Sequence, residues 1–335
     1  MHLTPRSRSI LIACQLKADQ SIEELAATTQ IPPHTVRREL SSLRERGLII
    51  RLPFVDVFRL GYMESQFFFT VASERSEGSA ASFVGSLRNS WRVPWLATLG
   101  GTYHYGATII GRDVSETFDF LESLSRLHPL MLQNKALNTL ISFRYLLKRH
   151  LVEDHDSIPL DWVGVSMCES LGEHDNSVSY SRFEADSLDR RILAELFRSS
   201  ERSNKDLATA VGITRSTFEY RLIRLIDEQI IIRFINVIPP GRLGMLTYKL
   251  IVSLRVFDSA IWEELCRFCQ DVPNIVNIIH CVGKWDYELG VEVTIPNQAF
   301  QIAQKLSLFL GERLAAIEII PVFQQIVPTN FLGLE

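Results

Sequence analysis

The sequence has no uninterrupted apolar run long enough to span a bilayer, and its opening MHLTPRSRSI lacks a signal-peptide core. A cytoplasmic protein with no membrane contact is the expectation. Cysteine is scarce, five in 335 residues, which excludes a disulfide framework. Cys266 and Cys269 form a CxxC, but no second pair stands at zinc-site spacing. Their neighbours Trp262, Leu265 and Phe268 make a buried helix face the better reading. Excess charge of one sign is absent too: Lys and Arg total 35 against 39 Asp and Glu, a net −4, so the chain is not a uniformly basic nucleic-acid binder. No nucleophile elbow, phosphate loop or paired-carboxylate signature stands out, so no catalytic residue, cofactor or metal is expected. The remainder, 46% hydrophobic with a mean hydropathy of +0.08, is that of an ordinary globular protein with more than one domain.

What is present is a pattern that occurs twice. IPPHTVRRELSSLRERGLIIR at 31–51 and ITRSTFEYRLIRLIDEQIIIR at 213–233 agree, at one constant offset, in their apolar positions and last Arg. The same offset lays Ile10-Leu11 over Ile192-Leu193, Ser21 over Ser203, Leu25-Ala26 over Leu207-Ala208, and Gly101 to Tyr105 over Gly283 to Tyr287. A period this long is no solenoid; it suggests two fused units. Charge is distributed accordingly. Met1 to Arg59 holds nine basic against six acidic residues and Asp186 to Arg242 ten against eight, whereas Leu151 to Ala185 holds eight acidic residues and one Arg.

Each unit opens with helical periodicity. Leu188, Ile192, Leu193 and Leu196 share one face; Ser203 to Asp206, like Ser21 to Glu24, is a helix-start signal, and Gly212 ends that helix. A third helix follows, with Phe218, Leu222 and Leu225 as its stripe; Val36, Leu40 and Leu43 are the counterparts behind Pro32-Pro33. This is the helix-turn-helix layout, and the β-branched tails GLIIRLPFV and IIIRFINVI read as wing strands. Next, 247–256, 260–269, 275–281, 287–295, 298–310 and 317–326 alternate as β-α-β-β-α-β, the ferredoxin-like order. The first unit matches this through 67–71, 80–87, 95–99, 105–110, 114–127 and 137–146. The fold expected is therefore α+β: two repeats, each a winged helix-turn-helix followed by a ferredoxin-like βαββαβ domain. The boundaries are 1–60 and 61–150, an acidic connection at 151–185, then 186–243 and 244–335.

Residues 188–225 and the VGKWDY of 282–287 resemble the leucine-responsive/asparagine-regulator (Lrp/AsnC) family of transcription factors; the first unit is the weaker match. The resemblance implies that the α/β modules are ligand-binding domains of that family's type, pairing as a sandwich of two sheets. The chain would then be its own dimer, and would associate further. It implies double-stranded DNA as partner, met by His34, Thr35, Arg37, Arg38 and Ser41 in one head. The other head offers Arg215, Ser216, Thr217, Tyr220, Arg221 and Arg224, since Arg forks suit guanine or phosphate. Otherwise these are solvated faces of amphipathic helices, and Arg51 and Arg233 are structural or phosphate contacts.

The resemblance also places an amino-acid-like effector beside Gly283, Lys284, Trp285 and Asp286, with Gly101 and His104 at the matching loop. Without a ligand, GKWDY is a tight hairpin. His150, His155 and His174 read as solvated members of the acidic connection, although Leu160 to Leu171 could pack on the sheets. The alternative function is an enzyme, since siroheme decarboxylases are similar to this family in fold. His280 and His104 would be its candidates, but the polar second recognition helix favours a regulator without catalysis.

Overall fold

The computed structural model describes residues 3–72, 77–152, 164–167 and 183–327. Three helices open the chain, α1 (Pro5–Gln15), α2 (Ile22–Thr29) and α3 (Pro33–Glu45), followed by β1 (Ile50–Val55). Thr4 caps α1, and Ser21 and Glu24 cap α2 reciprocally. The first α/β part runs β2 (Met63–Val71), α4 (Glu77–Arg88), β3 (Trp95–Leu99), β4 (Tyr105–Gly111), α5 (Val114–Leu127) and β5 (Leu132–Leu146). Of the acidic connection, Gly164–Met167 forms β6 against β5; His155 and His174 lie outside the described residues.

A second set follows: α6 (Ser187–Ser199), α7 (Asn204–Val211), α8 (Arg215–Asp227) and β7 (Ile231–Val237). Asp186, Ser203 and Thr214 cap the three helices, and Gly212, at φ +76°, ends α7 in the left-handed turn expected of it. At the end of α2 the same turn is made by Gln30 at φ +56°. The last part runs β8 (Leu246–Leu254), α9 (Ala260–Asp271), β9 (Ile275–Val282), β10 (Tyr287–Val293), α10 (Pro296–Leu310) and β11 (Leu314–Val327). Cys266 and Cys269 are buried on α9, as the apolar neighbours indicated.

The expected sandwich of two sheets is not what forms. The strands β5-β2-β4-β3 and β11-β8-β10-β9 each take the ferredoxin-like order, but they join edge to edge through β3–β11 and β9–β5. With β2–β5 paired as well, eight strands close into one barrel. The physical reason is strand length. β5 uses Leu132 to Thr139 on β2 and Thr139 to Tyr145 on β9, while β11 uses Leu314 to Val322 on β8 and Val322 to Val327 on β3. Closure removes sheet edges, the costly feature of open sheets. Period-two alternation then divides each strand: Phe67, Phe69 and Val71 pack under α4 and α5, and Leu289, Val291 and Val293 under α9 and α10. The intervening residues face the lumen.

The helical heads are joined through their strands. β1 and β7 pair antiparallel, Ile50 opposite Val237 and Phe54 opposite Arg233. Each strand also crosses to the other head. Ile235 packs into the core of α1–α3 with Ile238 just beyond it, and Val55 packs with Val57 into the core of α6–α8. Asn236 Nδ2 donates to the Cys14 carbonyl at 2.8 Å, and Arg51 Nη1 to the Ser200 carbonyl at 2.5 Å, its guanidinium lying over Phe234. Arg51 is thus structural. Neither head has a complete core without the other's strand.

Candidate nucleic-acid interface and interior cavity

The two recognition helices present different surfaces. On α3, His34, Arg37, Arg38 and Ser41 are exposed, whereas Thr35 is buried at the helix start and faces the core. On α8, Arg215, Ser216 and Tyr220 are exposed, Tyr220 at 68%. Thr217 is half-buried, its backbone N–H donating to the Thr214 cap at 3.2 Å. Arg215 Nε pairs with Glu219 at 2.8 Å, an exposed i,i+4 contact that a phosphate could displace at little cost.

Arg221 is placed differently. Its Nη1 lies 2.6 Å from Asp186 and 3.0 Å from Asp189, whose carboxylate is fully buried. Hydrogen bonding to those two carboxylates raises the Arg221 pKa further, so it stays charged. Arg224 reaches the same Asp189 at 3.6 Å and stacks over Phe183 at 4.7 Å. Of the residues expected at DNA, Thr35 is therefore buried, and Arg221 and Arg224 are partly exposed and paired with Asp186 and Asp189.

The loops 100–104 and 282–286 meet one another. Tyr103 and Trp285 are buried together against Phe68, and exposed Lys284 sets its Nζ 2.5 Å from the Tyr103 hydroxyl. Gly283, at φ +149°, lies against Asn138, where a Cβ would collide. Asn138 in turn accepts from Lys284 N at 2.7 Å and donates to the Trp285 carbonyl at 3.2 Å. Asp286 is half-buried, and its Oδ2 accepts the Leu254 N–H at 2.7 Å. Gly101 and His104 are exposed. His280 is stacked on Tyr287, ring centroids 4.7 Å apart, and its pKa is lowered by burial, partly offset by Asp286. His104 and His280 have different neighbours and form no shared site.

Sequence reasoning did not find the cavity of about 320 Å³ between the barrel and the β1–β7 ladder. Its walls include Ile50 and Leu52 of β1, Ile235 and Val237 of β7, and Glu64, Gln66, Trp95, Thr108, Tyr248, Lys249 and Glu292 of the barrel. Lys249 pairs with Glu288 at 2.5 Å and lies over the Trp95 ring. Lys148 and Glu292 form a second buried pair, joined by the His150 ring at 3.4 Å. His150 is thus buried, not solvated, and its pKa is lowered by desolvation against the opposing pull of Glu292. Gln66 Nε2 donates to Thr108 Oγ1 at 3.1 Å. Glu64 alone among these charges has no hydrogen bond or ion pair to a described residue. Burial, helped by nearby Asp56, pushes its carboxyl up to about 7. The signal was a lone charged residue at lumen parity in otherwise apolar strands, as in MESQFFFTV and LTYKLIVSL. No metal-holding cluster occurs among the described residues, and no helix there is long and apolar enough to cross a membrane.

Exposed basic recognition helices carried by helix triplets with a wing strand define a DNA-binding protein of the winged helix-turn-helix class. The model for winged helix-turn-helix DNA-binding domains matches residues 186–232. The chain is 30% identical over 112 residues to the DNA-binding transcriptional activator DecR of Escherichia coli (strain K12), which spans 32% of this chain and 72% of DecR. It belongs to the helix-turn-helix transcriptional regulator family. Over its whole length it is similar to the crystal structure of the siroheme decarboxylase NirDL, covering 98% of this chain and 94% of that one, with a TM-score of 0.63 and 13% identity. An AsnC family transcriptional regulator from Agrobacterium tumefaciens is similar over 44% of this chain and 97% of its own, with a TM-score of 0.40 and 20% identity. The whole-length likeness corrects one expectation. An architecture shared from end to end with an enzyme gives no ground for calling the chain non-catalytic, as the sequence reading did.

Proposed function

We propose that the chain is a sequence-specific DNA-binding regulator in which two unequal Lrp/AsnC-like units are fused into one pseudo-dimer. The observation that carries this reading is the β1–β7 ladder with its exchanged cores. It holds two exposed recognition helices on one rigid body, as the fixed half-site spacing of a two-headed DNA reader requires. Base and phosphate contacts fall to His34, Arg37, Arg38 and Ser41 on α3 and to Arg215, Ser216 and Tyr220 on α8, so the half-sites differ. Mobility shift with DNA from upstream of its own gene, at two salt concentrations, tests it. Arg215→Ala weakens binding by about 1–3 kcal/mol if it reads a base, or flattens the salt slope if it meets phosphate. The Arg37→Ala and Arg38→Ala changes ask the same of the first head. Intact affinity and slope in all three folded variants defeat the proposal.

A small-molecule effector at the α/β part completes this reading. Asp286 is the candidate for an amino-acid ammonium group, with no equal at His104; calorimetry with amino acids on wild type and Asp286→Ala decides it. A second reading, an enzyme acting on a tetrapyrrole, is favoured by the whole-length likeness to NirDL. The cavity walls suit it poorly, because Lys148 and Lys249 are already matched by Glu292 and Glu288 and offer a polyanion no free positive charge. Mass analysis of siroheme incubated with the protein tests it, with loss of carboxyl groups as the positive result.

A further inference from the structure

We infer that the cavity between the barrel and the β1–β7 ladder is a binding site for a small organic amine: a monocation with an apolar body, its nitrogen held by Glu64. The charges in the walls lead to this class. Lys249 is neutralised by Glu288, and Lys148 by Glu292, so both lysines are matched within the protein. Glu64 is the charge left over. It is 93% removed from solvent, lines the cavity, and has no partner among the described residues. A buried carboxyl without a donor is costly, and a cationic ligand supplies both the donor and the countercharge. Gln66 and Thr108, hydrogen-bonded to each other on the adjoining strands, can take a second N–H, while Trp95 and Tyr248 offer aromatic surface for the body. An anion would meet Glu64 unfavourably, and an alcohol could not neutralise it. At about 320 Å³ the space lies at the lower end of small-molecule sites, enough for a single-ring amine.

The position of the cavity gives the ligand a consequence. Leu52 and Phe54 of β1 and Ile235 and Val237 of β7 form its roof, and they belong to the ladder that joins the two heads. A ligand pressing on that roof changes the register or angle between the recognition helices. This coupling rests on the regulator reading; the binding itself does not.

The test is titration calorimetry on the full chain without DNA, using phenethylamine, tryptamine and isoamylamine as probes, with phenylacetate and 2-phenylethanol as controls. At least one amine binds once per chain. Glu64→Gln, shown folded by circular dichroism and melting, loses that binding by about tenfold to a hundredfold. The independent variant Trp95→Leu weakens the aromatic amines more than isoamylamine. The inference is overturned if no amine binds at millimolar concentration, if Glu64→Gln binds as wild type does, or if phenylacetate binds as well as the amines. Failure of DNA binding, by contrast, removes only the coupling.

Discussion

Individual side chains decide which groups are available for recognition and which are consumed by the fold. Glu64 is the clearest case of a group left with a cost. Its folded pKa, pushed up to about 7, lies above the ordinary carboxylate value, so the native state binds a proton that the unfolded chain releases. The penalty is absent at pH 4 and grows as the pH rises from the ordinary value through 7. Glu64→Gln removes it. Thermal or urea melts at pH 8 should show the variant more stable by up to about 3 kcal/mol, shrinking toward zero at pH 4.5. A constant difference across that range would mean that Glu64 is ionised without cost. The sequence marked Glu64 only as a lone charge in the strand MESQFFFTV; its environment is built by β4, β3 and the wing ladder, from distant parts of the chain. The basic residues show the same limit. Arg215 and Arg221 are six residues apart on one helix, and only the packing of α6 against α8 separates an exposed guanidinium paired with Glu219 from one committed to Asp186 and Asp189.

At the scale of elements, that distinction becomes a measurement. Arg221→Ala leaves the buried Asp189 with only Arg224 at 3.6 Å and the Asp186 N–H, and an under-compensated buried charge costs about 1–3 kcal/mol or more. The variant should melt several degrees lower and bind DNA weakly only where it is partly unfolded. Arg215→Ala, which loses only an exposed pair, should melt like wild type while binding less well. The reverse pattern would show that Arg221 reads DNA and Arg215 does not. Helix positions were legible because capping and 3.6-residue periodicity are local properties: Ser21, Ser203 and Gly212 do what their neighbours in sequence imply. Strand order within each βαββαβ part was legible for the same reason. The long strands β5 and β11 were not, since their second halves are defined by partners on the opposite sheet.

For the whole molecule, the outer helices leave apolar surface uncovered: Phe118 and Leu127 on α5, Phe300 and Leu308 on α10, and Phe323 on β11. Surface of that kind in quantity marks an interface. Light scattering at micromolar concentration should therefore give a multiple of the 38.2 kDa chain mass, with Phe118→Glu and Phe300→Glu shifting it toward the single chain. A single-chain mass for wild type would leave those residues without that role. By itself the sequence determined the identity of the local elements, the helix-turn-helix units and the ferredoxin-like strand order. Propensity, capping and side-chain period act over a few residues and leave their mark in every short window. Only the tertiary structure decided that the sheets close into one barrel, that each wing strand completes the other head's core, and that a lone carboxyl faces a cavity between them. Those features depend on which distant strands lie side by side, and a strand's hydrogen-bonding edges carry no record of their partner.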